Sequence, residues 1–244
     1  NLEESKSYFS KSISLCSSYI DGYNCLGYIF KLQGDYVNAK SYYKQALRID
    51  NNYTPALTNL AVLLMNQEPK EAIEILSKAY SINCQSSDIN FNLGLAYTIV
   101  KDYRQAIKFY SIAIEIKPNF VLAIFNLGNV RFSLRQFEDA LCLYQKVIEL
   151  DNSYVDSYSN IGTCFQELGD SKQAVEFYNK ALKINPLHVN ALSNLAVLKI
   201  NKGDLKYAIK LLNKVVKVDS NNPINWYNLA NAFKENGEFL TSIK

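Results

Sequence analysis

Runs of apolar residues with helical spacing follow one another in pairs along this chain. Within residues 155–168 they lie three or four positions apart, as on one face of a helix: Val155, Tyr158, Ile161, Phe165 and Leu168. A second run of helical spacing follows between residues 174 and 184. The two runs predict a pair of helices joined by a short turn.

The predicted helix pair returns along the chain with a period of about 34 residues. Glycine or alanine recurs at this spacing, with one step a single residue shorter than the others: Gly27, Ala61, Gly94, Gly128, Gly162, Ala196 and Ala230. Such a period is typical of a solenoid, in which each repeat contacts only its neighbours. Full repeats run over 20–53, 54–86, 87–120, 121–154, 155–188 and 189–222, and partial repeats over 1–19 and 223–244. We therefore predict an all-α fold, with a single α-solenoid over residues 1–244.

Small and large residues each occupy fixed positions of the repeat, where position 1 is the first residue of each repeat. Position 15, just after the first helix, is glycine in four repeats, where a left-handed C-cap is expected: Gly34, Gly169, Gly203 and Gly237. Position 8 is always glycine or alanine, which lets paired helices approach closely. Position 24 is tyrosine or leucine: Tyr43, Leu76, Tyr110, Tyr144, Tyr178 and Leu212. We interpret positions 8 and 24 as packing and assign them no functional weight.

These positions together resemble the tetratricopeptide repeat (TPR) family. The first full repeat shows the family pattern in seven residues: Tyr23, Leu26, Gly27, Phe30, Ala39, Tyr43 and Ala46. The departures weaken only single contacts: Arg131 and Lys199 replace an aromatic residue, and Val147 and Val215 replace an alanine. The resemblance covers essentially the whole chain. It implies antiparallel helix pairs stacked into a right-handed superhelix whose first helices line the concave face.

Asparagine at position 6 is the most regular polar feature. Only Cys25 interrupts the row: Asn59, Asn92, Asn126, Asn160, Asn194 and Asn228. Position 6 lies between the core positions and the exposed flank of a helix, so stacking predicts a row of amides along the inner surface. Two interpretations stay open. The amides, with two donors and one acceptor each, hold the main chain of an extended partner, or they bond to a neighbouring helix.

The asparagine row also resembles the repeat region of the O-linked N-acetylglucosamine and O-fucose transferases, in which an asparagine ladder holds substrate proteins. The stretch NLANAFKENG at 228–237 is similar to a repeat of that group. Asparagine at position 6 also occurs in unrelated repeat proteins, and we find no glycosyltransferase domain in these 244 residues. The resemblance implies an alternative role as the substrate-recruiting region of a larger glycosyltransferase.

Apolar residues at other groove positions suggest a binding patch in the third and fourth full repeats. The candidates are Phe91, Leu95, Ile99, Leu122 and Phe125, with Asn129 beside them. Exposed apolar surface tends to mark a binding site. In the alternative interpretation, which we favour, some of these side chains turn inward and fill the superhelix. In the chaperone-binding members a lysine at position 5 holds a C-terminal carboxylate. That position holds no lysine or arginine here, so we predict no such clamp.

The composition of the chain argues against several classes of function. The net charge is +3, and we take the charges to be scattered, so neither a nucleic-acid nor a membrane partner is expected. The densest apolar run, from Leu60 to Met65, is six residues long, far below the ~18 of a membrane span. The chain opens on Asn-Leu-Glu-Glu, with no secretory signal. Its five cysteines show no paired spacing, so we expect reduced thiols and a cytoplasmic or nucleocytoplasmic location.

No arrangement of residues points to catalysis. His188 is the one histidine, and no phosphate-binding or nucleophile motif occurs. We therefore expect no catalytic residues, no metal and no cofactor, and no enzymatic activity in this segment.

Our first hypothesis is an interaction scaffold that binds a protein or peptide segment along its concave groove. The asparagine row would give general affinity, and the region of Phe91 and Phe125 local selectivity; Asn126→Ala with Asn160→Ala should then weaken binding. A helical-repeat RNA binder is a third hypothesis, against which the low basic charge argues. Because both ends fall inside a repeat, we expect a fragment of a longer protein, or ends that pair with other copies.

Overall fold

The computed structural model describes residues 1–237, and helices joined by short turns fill that range. The helices are α1 (Leu2–Leu15), α2 (Ile20–Leu32), α3 (Tyr36–Ile49), α4 (Thr54–Leu64), α5 (Pro69–Ile82), α6 (Ser87–Ile99), α7 (Tyr103–Ile116), α8 (Val121–Ser133), α9 (Phe137–Leu150), α10 (Val155–Glu167), α11 (Ser171–Ile184), α12 (Val189–Asn201), α13 (Leu205–Val218) and α14 (Pro223–Glu235). The predicted all-α fold class is confirmed. The end of the predicted partial repeat 223–244, from residue 238 on, lies outside the described residues.

The turn after most first helices contains a residue with positive φ at position 15. The four glycines predicted there have φ between 77° and 85°. In two of the three repeats that lack glycine, Lys101 and Arg135 take the same conformation, with φ of 61° and 59°, whereas the shorter turn of repeat 54–86 has no residue with positive φ. A side chain in this region of backbone space is strained, because its Cβ crowds the backbone. The turn geometry therefore overrides the residue preference in these two repeats.

Aspartate at position 16 then starts several of the second helices. The carboxylate of Asp35 accepts from the N–H of Asn38 at 3.1 Å, and that of Asp102 from the N–H of Gln105 at 3.1 Å. Asp170 accepts from two backbone N–H groups at 3.1 and 3.0 Å. Such caps satisfy N–H groups that have no partner inside the helix.

The helices form two compact units, residues 1–130 and 131–244, with the boundary inside α8. In unit 1, each helix from α1 to α6 packs on the next one in the chain, and the first helices α2, α4 and α6 also contact one another in order. In unit 2, each helix from α9 to α13 packs on the next, and α10 contacts α12. We call the exposed side of the first helices, in either unit, the first-helix face. The single solenoid over 1–244 stays a prediction.

Glycine at position 8 makes room for tyrosine at position 24. A Cβ placed on Gly27 would lie 2.5 Å from the ring of Tyr43, and one on Gly94 would lie 2.5 Å from the ring of Tyr110. The same approach brings Gly162 against Tyr178, and all three rings are fully buried. Where position 8 is alanine, position 24 is leucine, in the pairs Ala61/Leu76 and Ala196/Leu212. The two positions therefore exchange volume, as a close-packed interior requires.

Candidate functional site

The six asparagines of position 6 all lie on first helices and are half-buried. Unit 1 carries Asn59 on α4, Asn92 on α6 and Asn126 on α8, and unit 2 carries the other three on α10, α12 and α14. Their predicted placement as a row along an inner surface stays a prediction. Their hydrogen bonds, however, differ from one repeat to the next.

In unit 1, two of the three asparagines bond inside the protein. Asn59 Nδ2 donates to Asn24 Oδ1, on the preceding first helix, at 3.0 Å. Asn126 Nδ2 donates to the carbonyl oxygen of Leu122, one turn earlier in its own helix, at 2.8 Å. The side chain of Asn92 makes no hydrogen bond to another residue in the range 1–237.

In unit 2, tyrosines of position 24 take part in the bonding. Asn194 Nδ2 donates to Thr163 Oγ1 at 3.2 Å, and the hydroxyl of Tyr178 lies 3.3 Å from the same atom. The Tyr178 hydroxyl also donates to Gln166 Oε1 at 3.0 Å. Asn160 likewise hydrogen-bonds the hydroxyl of Tyr144.

Burial keeps these tyrosines in the neutral, hydrogen-bonding form. It raises the pKa of Tyr178, an effect that hydrogen bonds with Thr163 and Asn194 partly oppose. Burial also raises the pKa of Tyr144, and that of Tyr110 to about 12. The sequence analysis treated position 24 as packing alone. The hydroxyls of Tyr110, Tyr144 and Tyr178 reach polar groups of the first helices, a role that the sequence signalled only by tyrosine in place of phenylalanine. The buried hydroxyl of Tyr43 has no such partner among the described residues.

Asn228, on α14, resembles Asn92. It is half-buried, and its side chain makes no hydrogen bond to another residue within the described part of the chain. Its neighbour Tyr227 is 67% exposed, and Ile224, one turn earlier on α14, is 63% exposed. An amide and two apolar side chains are therefore open to solvent on this helix.

The predicted apolar patch divides into engaged and exposed members. The ring of Phe91 is half-buried, 4.9 Å from that of Phe120 and 6.0 Å from that of Tyr110. Leu95, Phe125 and Asn129 are half-buried as well, whereas Ile99 is 41% and Leu122 is 47% exposed. Some of the predicted residues thus turn partly inward, and the exposed apolar surface lies at the ends of α6 and α8.

His188 has a structural position. Its Nδ1 accepts from the N–H of Ala191 at 3.3 Å and so caps α12, while Nε2 lies 3.0 Å from Asp156 Oδ1. Because Nδ1 is the acceptor, we assign the ring proton to Nε2, which donates to the aspartate. The side chain is only 12% exposed. Its contact with Asp156 connects the end of repeat 155–188 to the start of that repeat.

The basic charge is not evenly scattered, as the sequence analysis assumed. Exposed lysines follow one another along α13 at helical spacing: Lys206, Lys210, Lys214 and Lys217. No acidic residue lies in that helix, so the small net charge of the chain hides a basic stripe.

The described residues contain neither a metal-binding cluster nor a membrane-spanning helix. Among residues 1–237, no three His, Cys, Asp or Glu side chains form a group that could hold a metal ion. None of the helices in that range is both long and apolar enough to cross a membrane.

Sequence models of the tetratricopeptide repeat match several parts of the chain. One matches residues 87–120 and 155–187, two others match 32–79 and 177–210, and a model of the TPR repeat matches 128–169. Together the matches cover more than half of the chain. This chain is a tetratricopeptide repeat protein.

A curated relative shares part of this TPR protein. The uncharacterized protein ycf37 of Pyropia yezoensis is 36% identical over 69 residues, which are 28% of this chain and 39% of the relative. The TPR protein thus spans well under half of the relative's length.

Solved structures share the fold over a wider range. A chain of the Cut9–Hcn1 hetero-tetramer of the APC/C matches with a TM-score of 0.79 and 15% identity, over 95% of this chain and 46% of that one. YrrB, described as a TPR protein with an unusual peptide-binding site, matches with a TM-score of 0.62 and 23% identity, over 75% of this chain and 95% of YrrB. At these identities the likeness shows the fold alone. The comparisons give no specific support to the resemblance to O-linked glycosyltransferases.

Proposed function

We propose that this TPR protein is an interaction scaffold that holds an extended segment of a partner protein against its first-helix face. TPR proteins are typically protein-interaction scaffolds, and TPR domains are usually non-catalytic. The specific proposal, an extended segment on this face, rests on the side chains that the first helices expose.

The observation that carries the proposal is a mixture of amides and exposed apolar side chains on the first helices of both units. In addition to the asparagines, the first helices of each unit expose four large apolar residues by more than 40%: Tyr28, Leu32, Ile99 and Leu122 in unit 1, and Val197, Ile224, Trp226 and Tyr227 in unit 2. An extended peptide offers the complementary groups, since its main chain pairs with amides and its side chains cover apolar surface. Binding would release water from these apolar side chains, and that release favours binding.

The alternative role, recruiting substrates for an O-linked glycosyltransferase, would use the same asparagines. Because the comparisons do not favour that assignment, we propose the binding role only. The absence of lysine and arginine at position 5 predicts a partner held by an internal segment and not by a C-terminal carboxylate.

The test is a peptide selection followed by a pair of matched variants. Peptides are selected from a displayed random library on the immobilised full chain, and the Kd of a selected peptide is measured by fluorescence anisotropy. Leu122→Arg places a charge on the first-helix face, whereas Val37→Arg changes a side chain that is 82% exposed on the second helix α3.

We expect Leu122→Arg to weaken binding roughly tenfold, the lower end of what loss of one apolar contact costs, and Val37→Arg to leave it unchanged. Failure to select any peptide, or equal effects of the two variants, would contradict the proposal.

A further inference from the structure

The positive charge of the chain is concentrated in residues 171–218, which lie in unit 2. These residues include nine lysines, no arginine and two acidic residues, although the net charge of the whole chain is only +3. Both acidic side chains are already paired: Glu176 lies 2.7 Å from Lys180 Nζ, and Asp204 lies 3.5 Å from Lys199 Nζ. The other seven lysines are exposed and have no ion pair within the described residues: Lys172, Lys183, Lys202, Lys206, Lys210, Lys214 and Lys217.

An open groove lies between the second helices α11 and α13, both of which pack on α12. Its volume is about 460 Å³, enough for a few apolar side chains. Most of its lining is apolar: Leu182, Pro186, Leu192, Tyr207 and Leu211. Two exposed lysines complete the lining, Lys183 of α11 and Lys214 of α13. We call this site the basic groove.

The lysine stripe and the basic groove occupy neighbouring faces of α13. Tyr207, Leu211 and Lys214 are three or four positions apart, so they share the face of the helix that lines the groove. The other lysines of the stripe lie about a quarter of a turn to one side of that face: Lys206, Lys210 and Lys217. A ligand seated in the groove therefore contacts apolar side chains and lies within reach of several ammonium groups.

We infer that the basic groove binds an acidic, amphipathic helical segment of a partner protein, at a site separate from the first-helix face. The apolar side chains of such a segment, at helical spacing, would enter the groove. Carboxylates beside them would meet the lysines of α13 on one side and Lys183 of α11 on the other. Complementary charge of this kind steers a partner to the site and fixes its orientation.

The side chains of the groove favour a protein segment over a nucleic acid or a membrane. Phosphate recognition favours arginine, whose planar fork binds two oxygen atoms at once, and residues 171–218 contain none. Insertion into a membrane surface needs an exposed apolar helix face. The leucines of α13, Leu211 and Leu212, are instead buried in the protein.

The test measures the binding of three synthetic peptides to the full chain by fluorescence anisotropy. The first peptide, labelled with fluorescein, has leucines at helical spacing along one face and glutamates beside them. The second has serine in place of each leucine, and the third has glutamine in place of each glutamate. We expect the second and third peptides to bind at least about tenfold more weakly than the first. No binding of the first peptide, or equal binding of the leucine and serine peptides, would overturn the inference.

A matched pair of charge reversals locates the site. Lys210→Glu with Lys214→Glu reverses two charges of the stripe. Arg104→Glu with Lys108→Glu makes the same change in net charge at exposed positions of α7, a second helix of unit 1. We expect the first variant to weaken binding of the leucine–glutamate peptide about tenfold and the second to stay within about twofold of wild type. Equal losses would show a general attraction by the net charge and would refute the inference.

A second matched pair tests the apolar lining without changing charge. Tyr207→Ser removes a side chain that is 40% exposed in the groove, and Tyr36→Ser removes one that is 58% exposed on α3. We expect about fivefold weaker binding in the first variant and less than about twofold in the second, with both folds intact by circular dichroism. Wild-type affinity of Tyr207→Ser would contradict the role of the groove.

Two other ligands are measured in parallel, a labelled double-stranded DNA and vesicles that contain phosphatidylserine. Tighter binding of either ligand than of the first peptide, lost in the variant with Lys210→Glu and Lys214→Glu, would assign the lysines to that ligand and overturn the inference. Leu122→Arg, on the first-helix face, should leave the affinity for the acidic peptide unchanged. A failure of this inference is therefore distinguishable from a failure of the proposed function.

Discussion

The pairing of Gly94 with Tyr110 predicts a measurable coupling between the two positions. An alanine Cβ at position 94 would lie 2.5, 2.6 and 2.9 Å from three ring atoms of Tyr110, against about 3.5–4.0 Å for a normal carbon contact. The ring is fully buried, and its hydroxyl, 3.2 Å from Thr98 Oγ1, resists a shift. Overpacking of this kind costs about 1–3 kcal/mol, and the helix propensity gained by alanine returns at most about 1 kcal/mol. We expect Gly94→Ala to destabilise the fold by about 1–2 kcal/mol.

The double variant Gly94→Ala with Tyr110→Leu should recover part of that loss. Tyr110→Leu alone leaves a cavity and should cost about 2 kcal/mol or more. In the double variant the alanine methyl fills part of the vacated space, as Ala61 does beside Leu76 and Ala196 beside Leu212. We therefore expect a favourable coupling of about 1–2 kcal/mol between the two substitutions.

The assay is urea unfolding of wild type, both single variants and the double variant, followed by circular dichroism. The four m-values should agree, since the surface exposed on unfolding hardly changes. Wild-type stability of Gly94→Ala would show that the ring moves aside at no cost. Additivity within about 0.3 kcal/mol would show that the two positions do not exchange volume.

Three further predictions follow from single residues. Lys101→Gly should stabilise the fold by about 0.5–1 kcal/mol in urea unfolding, because it relieves a φ of 61°; a loss of stability would show that the lysine is not strained. His188→Ala should cost about 1 kcal/mol in a thermal melt, since it removes the acceptor for the Ala191 N–H; an unchanged Tm would refute this role. Because burial raises the pKa of Tyr110 from 10.0 to about 12, the folded state holds that proton more tightly, and stability should fall as the pH rises above 10 towards 12. A Tyr110→Phe variant that loses stability over this pH range as steeply as the wild type would contradict the prediction.

The helix pairs could be predicted because they depend on short-range patterns. Apolar spacing, the regular repeat period and glycine at position 15 each act within one repeat, and the described helices fall inside the predicted repeats. Even the strained Lys101 and Arg135 occupy the position at which the other repeats carry glycine. The position of these two residues within the repeat therefore indicated the turn geometry, although lysine and arginine as residue types did not.

The state of each asparagine side chain could not be predicted, because its hydrogen bonds depend on which polar groups come within reach once the helices pack. Asn59 and Asn92 have the same repeat position, yet Asn24 accepts from the side chain of the first, and no residue in 1–237 hydrogen-bonds the side chain of the second. The alternation of tyrosine with leucine at position 24 was visible in the sequence. Its consequence depends on where a hydroxyl emerges between packed helices, which periodicity alone does not show.

The central claim is that an extended segment of a partner protein binds the first-helix face. The most direct test is a nitrogen–proton spectrum of the full chain in which the side-chain amides of all six asparagines are assigned, recorded while the selected peptide is added. We expect amide resonances of the first helices to move on binding, with those of asparagine side chains among them. Shifts confined to the second helices, or first-helix resonances that stay in place at saturating peptide, would contradict the account.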